Sequence, residues 1–117
     1  MEEDPVVTNP ELYRIVMEND RVRVLEYRDR PGDRTTPHRH PDSVMVTGSS
    51  FRRRLVNPSG HQDVELEAGV TRWLPAQKHS GENIGATETH ALFIELKDAG
   101  PAPDLDEREP RLGPATG

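Results

Sequence analysis

Nowhere along its 117 residues does this chain hold a 3.6-residue apolar period between recognisable caps, so no long helix is expected. What recurs is a short alternating run closed by a turn signal. Residues 21–27 set Val22 and Val24 against arginines, and residues 51–56 alternate up to the strong turn Asn57-Pro58-Ser59-Gly60. Residues 63–67 form a short amphipathic run that stops at Ala68-Gly69. Further strand-like runs cover residues 12–17, 43–47, 70–74, 77–84 and 89–97, the last being the most apolar, and the turn at Arg30-Pro31-Gly32-Asp33 leads into a strand that carries His38 and His40. Residues 12–17 and 21–27, joined by Glu18-Asn19-Asp20, read as a hairpin. Roughly eight or nine short strands with turn signals about every 8–12 residues define an all-β sandwich or small barrel.

Composition decides how much of the chain can fold this way. Only 32% is hydrophobic and 31% is charged, with 11 prolines and 9 glycines. That lies near the border of disorder, so the apolar residues must be concentrated in one part of the chain. Charge placement shows which part. Glu2, Glu3, Asp4 and Glu11 crowd the start, and residues 98–117 carry five acids against Arg108 and Arg111. Of the net charge of −6, this leaves about +1 for residues 12–97. The expected organisation is a flexible acidic lead-in (1–11), one barrel (12–97) and an irregular, acidic, proline-rich tail (98–117). Leu105 and Leu112 would lay that tail along the barrel or a neighbouring subunit.

A nearly neutral body excludes a nucleic-acid footprint. The absence of cysteine excludes disulfides, thiolate metal ligands and a cysteine nucleophile. No run reaches transmembrane length, and the acidic start lacks the basic and apolar regions of a leader. A cytoplasmic protein that does not engage membranes is the expectation.

The chemistry concentrates in Gly32-Asp33-Arg34-Thr35-Thr36-Pro37-His38-Arg39-His40-Pro41-Asp42. Two histidines one residue apart on an extended strand point to the same face and make half of a metal site. A third, His79, lies in Pro75-Ala76-Gln77-Lys78-His79-Ser80-Gly81-Glu82-Asn83 and can supply the next ligand.

These two stretches, about 40 residues apart, resemble the motifs of the cupin superfamily. The family's first motif runs Gly-x5-His-x-His, then three or four residues, then Glu. Gly32 through His40 matches its front half without a gap. The second motif, Gly-x5-Pro-x-Gly-x2-His-x3-Asn, is matched by Gly69 to Pro75 and by His79 to Asn83. One residue fewer separates Pro75 from His79, and Gln77 stands where glycine is usual. The likeness covers about residues 20–97.

It implies a β jelly-roll barrel holding one divalent transition metal (Fe, Zn, Ni, Cu or Mn), with His38, His40 and His79 as ligands. The family's fourth ligand is missing, because counting on from His40 reaches Val44 or Met45, and Asp42 sits too early, in a turn. A three-histidine set favours imidazole-loving ions over Mg or Ca. Some cupin dioxygenases do use three histidines.

Every other residue of chemical interest depends on which way its strand faces. His90 shares a face with Leu92, Ile94 and Leu96, and serves either as an outer acid or base at the cavity mouth or as a rim histidine. Glu82 and Glu95 are the carboxylates available as a base. Arg53 shares a face with Phe51 and Leu55; if that face is inward, it can clamp a substrate carboxylate. Arg72 and Trp73 cannot both face in, and Trp73 is the expected core and pocket residue. Met45 is expected to wall the pocket, His61 to sit in a solvated loop, Asn83 to fix a turn, and Gly32 and Gly69 to make turns.

Three functional classes follow. The first is a metal enzyme, an oxygenase, isomerase or cyclase, or lyase, acting on a small oxygen-bearing metabolite. The second is a non-catalytic cupin that carries or senses a small ligand. The third is an interaction scaffold. A homodimer is expected in each, since small cupins often pair through a sheet edge.

Overall fold

All of the alternating runs become strands. The computed structural model describes residues 3–97 and 112–114. Among them the strands are β1 (Tyr13–Glu18), β2 (Val22–Asp29), β3 (His38–His40), β4 (Ser43–Thr47), β5 (Phe51–Asn57), β6 (Gly60–Leu66), β7 (Thr71–Leu74), β8 (Gln77–Asn83) and β9 (Thr89–Leu96). One helical turn, α1 (Pro5–Thr8), precedes them. No described helix is long and apolar enough to cross a membrane.

The strands form two antiparallel sheets, ordered β1-β2-β9-β4-β7 and β3-β8-β5-β6, which make the jelly-roll barrel. The hairpin expected at the start is present, with Tyr13 opposite Tyr27 and a bulge between Ile15 and Met17 that breaks up the edge strand. The Asn57-Pro58-Ser59-Gly60 turn closes β5 on β6, with the Asn57 side chain accepting the Ser59 N–H at 2.9 Å. Gly32 and Gly69 adopt φ of 90° and 80° at their turns, as expected.

The two sheets bring different goods to the interior. Tyr13, Leu25, Tyr27, Met45, Leu74, Ala91 and Phe93 form the buried apolar cluster, and all lie on the five-stranded sheet. From the four-stranded sheet come His38, His40, Arg53, Gln77, His79 and Asn83, all buried.

Trp73 departs from expectation. The inward set on β4 is Ser43, Met45 and Thr47, and the β4–β7 register pairs Trp73 with Val44. Trp73 therefore lies on the outer face, 41% exposed, and Leu74 takes the core position.

The described part of the lead-in carries local structure. Asp4 accepts the Val6 N–H at 3.0 Å as an N-cap and Pro5 occupies the first turn, so one helical turn forms. Asn9 is buried behind it. Of the tail, only Leu112, Gly113 and Pro114 are described; Leu105 lies outside the described residues.

Candidate metal centre

The register of β3 on β8 sets His38 opposite His79 and His40 opposite Gln77. Residues opposed across neighbouring strands project from the same face, so all four enter the barrel while Arg39 and Lys78 point out and pair with Glu3. The imidazole centroids lie 4.8, 4.9 and 5.1 Å apart, and the ligand atoms fall within 4.8 Å of one another.

Burial, then the neighbouring imidazoles, hold the His40 and His79 pKa values well below the usual histidine value. Burial lowers that of His38 as well. All three rings are therefore neutral at pH 7, the form that binds metals.

Hydrogen bonds then decide which nitrogen is available. His38 Nδ1 lies 2.8 Å from the Thr36 carbonyl, which can only accept, so Nδ1 carries the proton. Asn9 holds that loop by accepting the Thr36 N–H at 2.8 Å. His79 Nδ1 lies 2.7 Å from Gln77 Oε1. His40 Nδ1 faces Glu95 Oε2 at 3.8 Å, an ion-pair distance rather than a hydrogen bond.

Glu95 is itself anchored, since Arg23 Nε donates to its Oε1 at 2.8 Å while the Arg23 fork grips Asp4 at 2.8 and 3.0 Å. Burial pushes the Glu95 carboxyl up, against the pull of Arg23. Oxygens thus hold the protons of His38 and His79 on Nδ1 and leave Nε2 as the lone-pair nitrogen of those two rings, while no hydrogen bond fixes the tautomer of His40. Outer oxygen partners of this kind are what orient histidine ligands on a metal.

The residues present fit a divalent transition metal. Among the described residues, the buried side-chain atoms with no hydrogen-bond partner are both nitrogens of His40 and Oε2 of Glu95. Orphaned polar atoms each cost about 1–3 kcal/mol. An ion shared by the three Nε2 atoms would satisfy one of them, and an all-nitrogen donor set suits Fe, Zn, Ni or Cu.

No carboxylate joins the three histidines among the described residues. Val44 faces out and Met45 walls the cavity. Asp42 accepts the Ala76 N–H at 2.9 Å and so belongs to the turn before β8.

Beside the histidines lies a cavity of about 50 Å³ with mostly apolar walls, including Tyr13, Met45, Leu74 and Phe93. Arg53 does face into it, but its charge is matched internally. Arg53 Nη1 donates to Asp29 and, at 3.1 Å, to Thr89 Oγ1. Asp29 also receives the Tyr27 hydroxyl and, at 3.0 Å, the Asn83 amide. Asn83 thereby belongs to a buried polar network as well as to its turn, where it bonds the Thr87 carbonyl at 2.8 Å.

Trp73 lies outside the cavity. Glu82 sits on the outer side of β8 near Arg34, at 3.6 Å, and His90 Nε2 lies 2.8 Å from Glu26 on the outer side of β9. His61 is exposed at the start of β6 rather than in a loop.

Sequence reading passed over Tyr13, whose hydroxyl lies 3.4 Å from His38 Nε2, and the outer partners Asn9, Asp4 and Gln77. Glu95 stood only as a possible base. Its parity with Ala91 and Phe93 was the signal for its position.

A two-sheet antiparallel barrel with three inward, neutral histidines is a jelly roll whose interior could hold a metal ion. Comparison with solved structures gives that class its family. The chain is similar to a cupin domain from Bordetella pertussis Tohama I, at 33% identity over 74% of this chain and 92% of that one, with a TM-score of 0.69. A conserved protein with a double-stranded β-helix domain from Klebsiella pneumoniae matches at 22% identity, covering 76% and 79%, with a TM-score of 0.58. The polyketide cyclase RemF from Streptomyces resistomycificus matches at 19%, covering 72% and 63%, with a TM-score of 0.56. These last two show the fold alone. No protein-family model matches the chain, and no curated protein sequence does. The chain belongs to the cupin superfamily.

Proposed function

We propose that this cupin holds one divalent transition metal at His38, His40 and His79 and acts on a small oxygen-bearing metabolite in the adjoining cavity, as an oxygenase, an isomerase or cyclase, or a lyase. The observation that supports it best is the convergence of three buried imidazoles, their candidate ligand atoms within 4.8 Å of one another, with Nδ1 of His38 and of His79 each held by an oxygen. A bound metal supplies Lewis acidity and open positions for an oxygen ligand.

The chain's own residues do the rest. Burial pushes the Tyr13 phenol up, so it stays protonated and can donate to an oxygen placed beside His38. Met45, Leu74 and Phe93 keep water out of the cavity, which strengthens every polar contact inside it. The Arg53–Asp29 pair presents a dipole rather than a net charge, which suits a neutral substrate over a dianion.

The test is a thermal melt of metal-stripped protein before and after adding Fe, Zn, Ni, Cu or Mn. At least one ion is expected to raise Tm; no shift with any of them overturns the metal site. Incubating the loaded protein with metabolite mixtures should then produce a change of mass.

One observation favours a second reading, a carrier or sensor. Asp29 is spent on Arg53 and so does not stand free as a base, and Arg23 holds one of the two oxygens of Glu95. Ligand-induced stabilisation without any mass change would decide for it.

A further inference from the structure

We infer that Gln77, held in one orientation by Gly113 of the C-terminal segment, is a positioning residue that sets the tautomer of His79; the inference rests on the metal reading above. The two ends of a glutamine amide have the same shape, and only their partners tell them apart. Gln77 Nε2 meets two carbonyls, Pro75 at 3.0 Å and Gly113 at 3.3 Å, and both can only accept. Gln77 Oε1 meets the Gly113 N–H at 2.9 Å, which can only donate.

Gly113 thus reads both ends of the amide and turns Oε1 toward His79 Nδ1, 2.7 Å away. Because Oε1 cannot donate, Nδ1 must hold the hydrogen, and Nε2 keeps its lone pair for an ion. A flipped amide would present N–H to Nδ1, move the ring proton to Nε2, and place it where the metal binds.

The backbone at Gly113 demands this residue. Its φ is 82°, and a Cβ there would stand 3.1 Å from Leu55 Cδ1 and 3.2 Å from Val64 Cγ2. The segment therefore fits closely against the β5–β6 hairpin, and the next residue, Pro114, lines the cavity. Gln77 occupies the place where the second cupin motif usually has glycine, which could not supply this control.

Imidazole nitrogen NMR of the metal-free protein reads the tautomer directly, and calorimetric titration with Zn(II) reads its consequence. The wild type is expected to show His79 protonated at Nδ1. In Gln77→Leu and Gly113→Val, His79 should become a mixture of tautomers and Zn(II) affinity should fall about 10–100-fold, the usual cost of losing an outer partner. His38, set by Thr36, should not change in either variant. Gln77→Glu should keep the wild-type His79 tautomer, because a carboxylate still accepts from Nδ1. Gly113→Val changes no residue of the barrel itself and carries the test if Gln77→Leu does not fold.

Unchanged His79 tautomer and affinity in the folded variants would overturn the inference. A wild type that binds no Zn(II) or other divalent ion would overturn the metal reading instead, and the tautomer spectra would still decide the role of Gln77.

Discussion

On β9, the residues facing into the barrel are Thr89, Ala91, Phe93 and Glu95, and those facing outward are His90, Leu92, Ile94 and Leu96. The same inversion holds on its neighbours. β2 turns Arg23, Leu25, Tyr27 and Asp29 inward and Val22 and Val24 outward, and β4 turns Ser43, Met45 and Thr47 inward and Val44 and Val46 outward. The inner face of this sheet is mixed and carries the charged groups that serve the histidines, while the outer face is the more aliphatic. The inner face therefore carries the chemistry of the site, and the outer face is built chiefly of aliphatic side chains with Glu26, Arg28 and His90 among them. Along this face the valines, leucines and isoleucine of β2, β4 and β9 are half-buried, and the exposed apolar side chains include Met17 and Trp73.

The largest test of that division removes a ligand. His79→Ala should weaken Zn(II) binding beyond the 10–100-fold range typical of an outer partner, whereas Leu92→Ala, on the outer face, should leave it unchanged. Comparable losses in the two variants, measured by calorimetry, would erase the distinction between the faces.

Glu95→Ala tests the inner face one step further out. It removes the oxygen facing His40 Nδ1 and leaves the Arg23 guanidinium with Asp4 alone. The expected loss is about 10–100-fold in metal affinity, with Glu95→Gln milder because its amide oxygen still accepts. A Glu95→Ala protein with wild-type affinity would mean that Glu95 serves Arg23 and not the histidine.

How much of this was legible beforehand follows from the same comparison. Alternation and turn residues are local signals, so every strand and both glycine turns could be read, and His38, His40 and His79 stood out by spacing. Alternation marks two faces without saying which one is inside. Reading apolar as inward placed Trp73 in the core and left His90 near the cavity mouth; the register of β7 and β9 sends both outward.

The chain ends were illegible for a different reason. Low hydrophobicity there reads as disorder. Yet the described parts are fastened by a few polar contacts between residues far apart in sequence, Asp4 with Arg23 and Gly113 with Gln77. No local pattern announces such pairs.

Acid separates the faces by their titration. In the unfolded chain an imidazole takes up a proton near pH 6.5 (about 6.5 for the free side chain). The three buried rings resist protonation in the folded state. Below about pH 6.5 the unfolded state therefore binds more protons, and stability falls as the pH drops, by up to about 1.4 kcal/mol per pH unit for each ring. On the outer face, the His90 hydrogen bond and then Arg14 hold the Glu26 carboxyl below its ordinary value. Its contribution is present above about pH 4.3, the unfolded value, and is lost as pH falls through the folded one. Metal-free protein titrated by chemical denaturation should lose stability in two stages. Glu26→Gln should remove part of the second and none of the first. An onset below pH 5 would mean that the histidines are not held neutral.

The smallest effect on the site, and the sharpest on assembly, is expected at the centre of the outer face. Met17, Val24, Ile94, Val44 and Trp73 stand in register across all five strands. An ion pair borders the row on one side, Arg14 with Glu26 at 2.7 Å. A row without charge can meet its own copy across a two-fold axis with no opposed like charges, inside a polar rim. A second copy of the chain seated on this face, rather than along a sheet edge, is what the next measurement tests. Sedimentation of the wild type should give twice the mass of one chain, and Ile94→Lys should give a single chain whose Zn(II) affinity and His79 tautomer are those of the wild type. A monomeric wild type would leave the aliphatic face without a second copy. A monomeric Ile94→Lys protein that had also lost its metal would show that the two faces are coupled through β9, with Glu95 the nearest link between them.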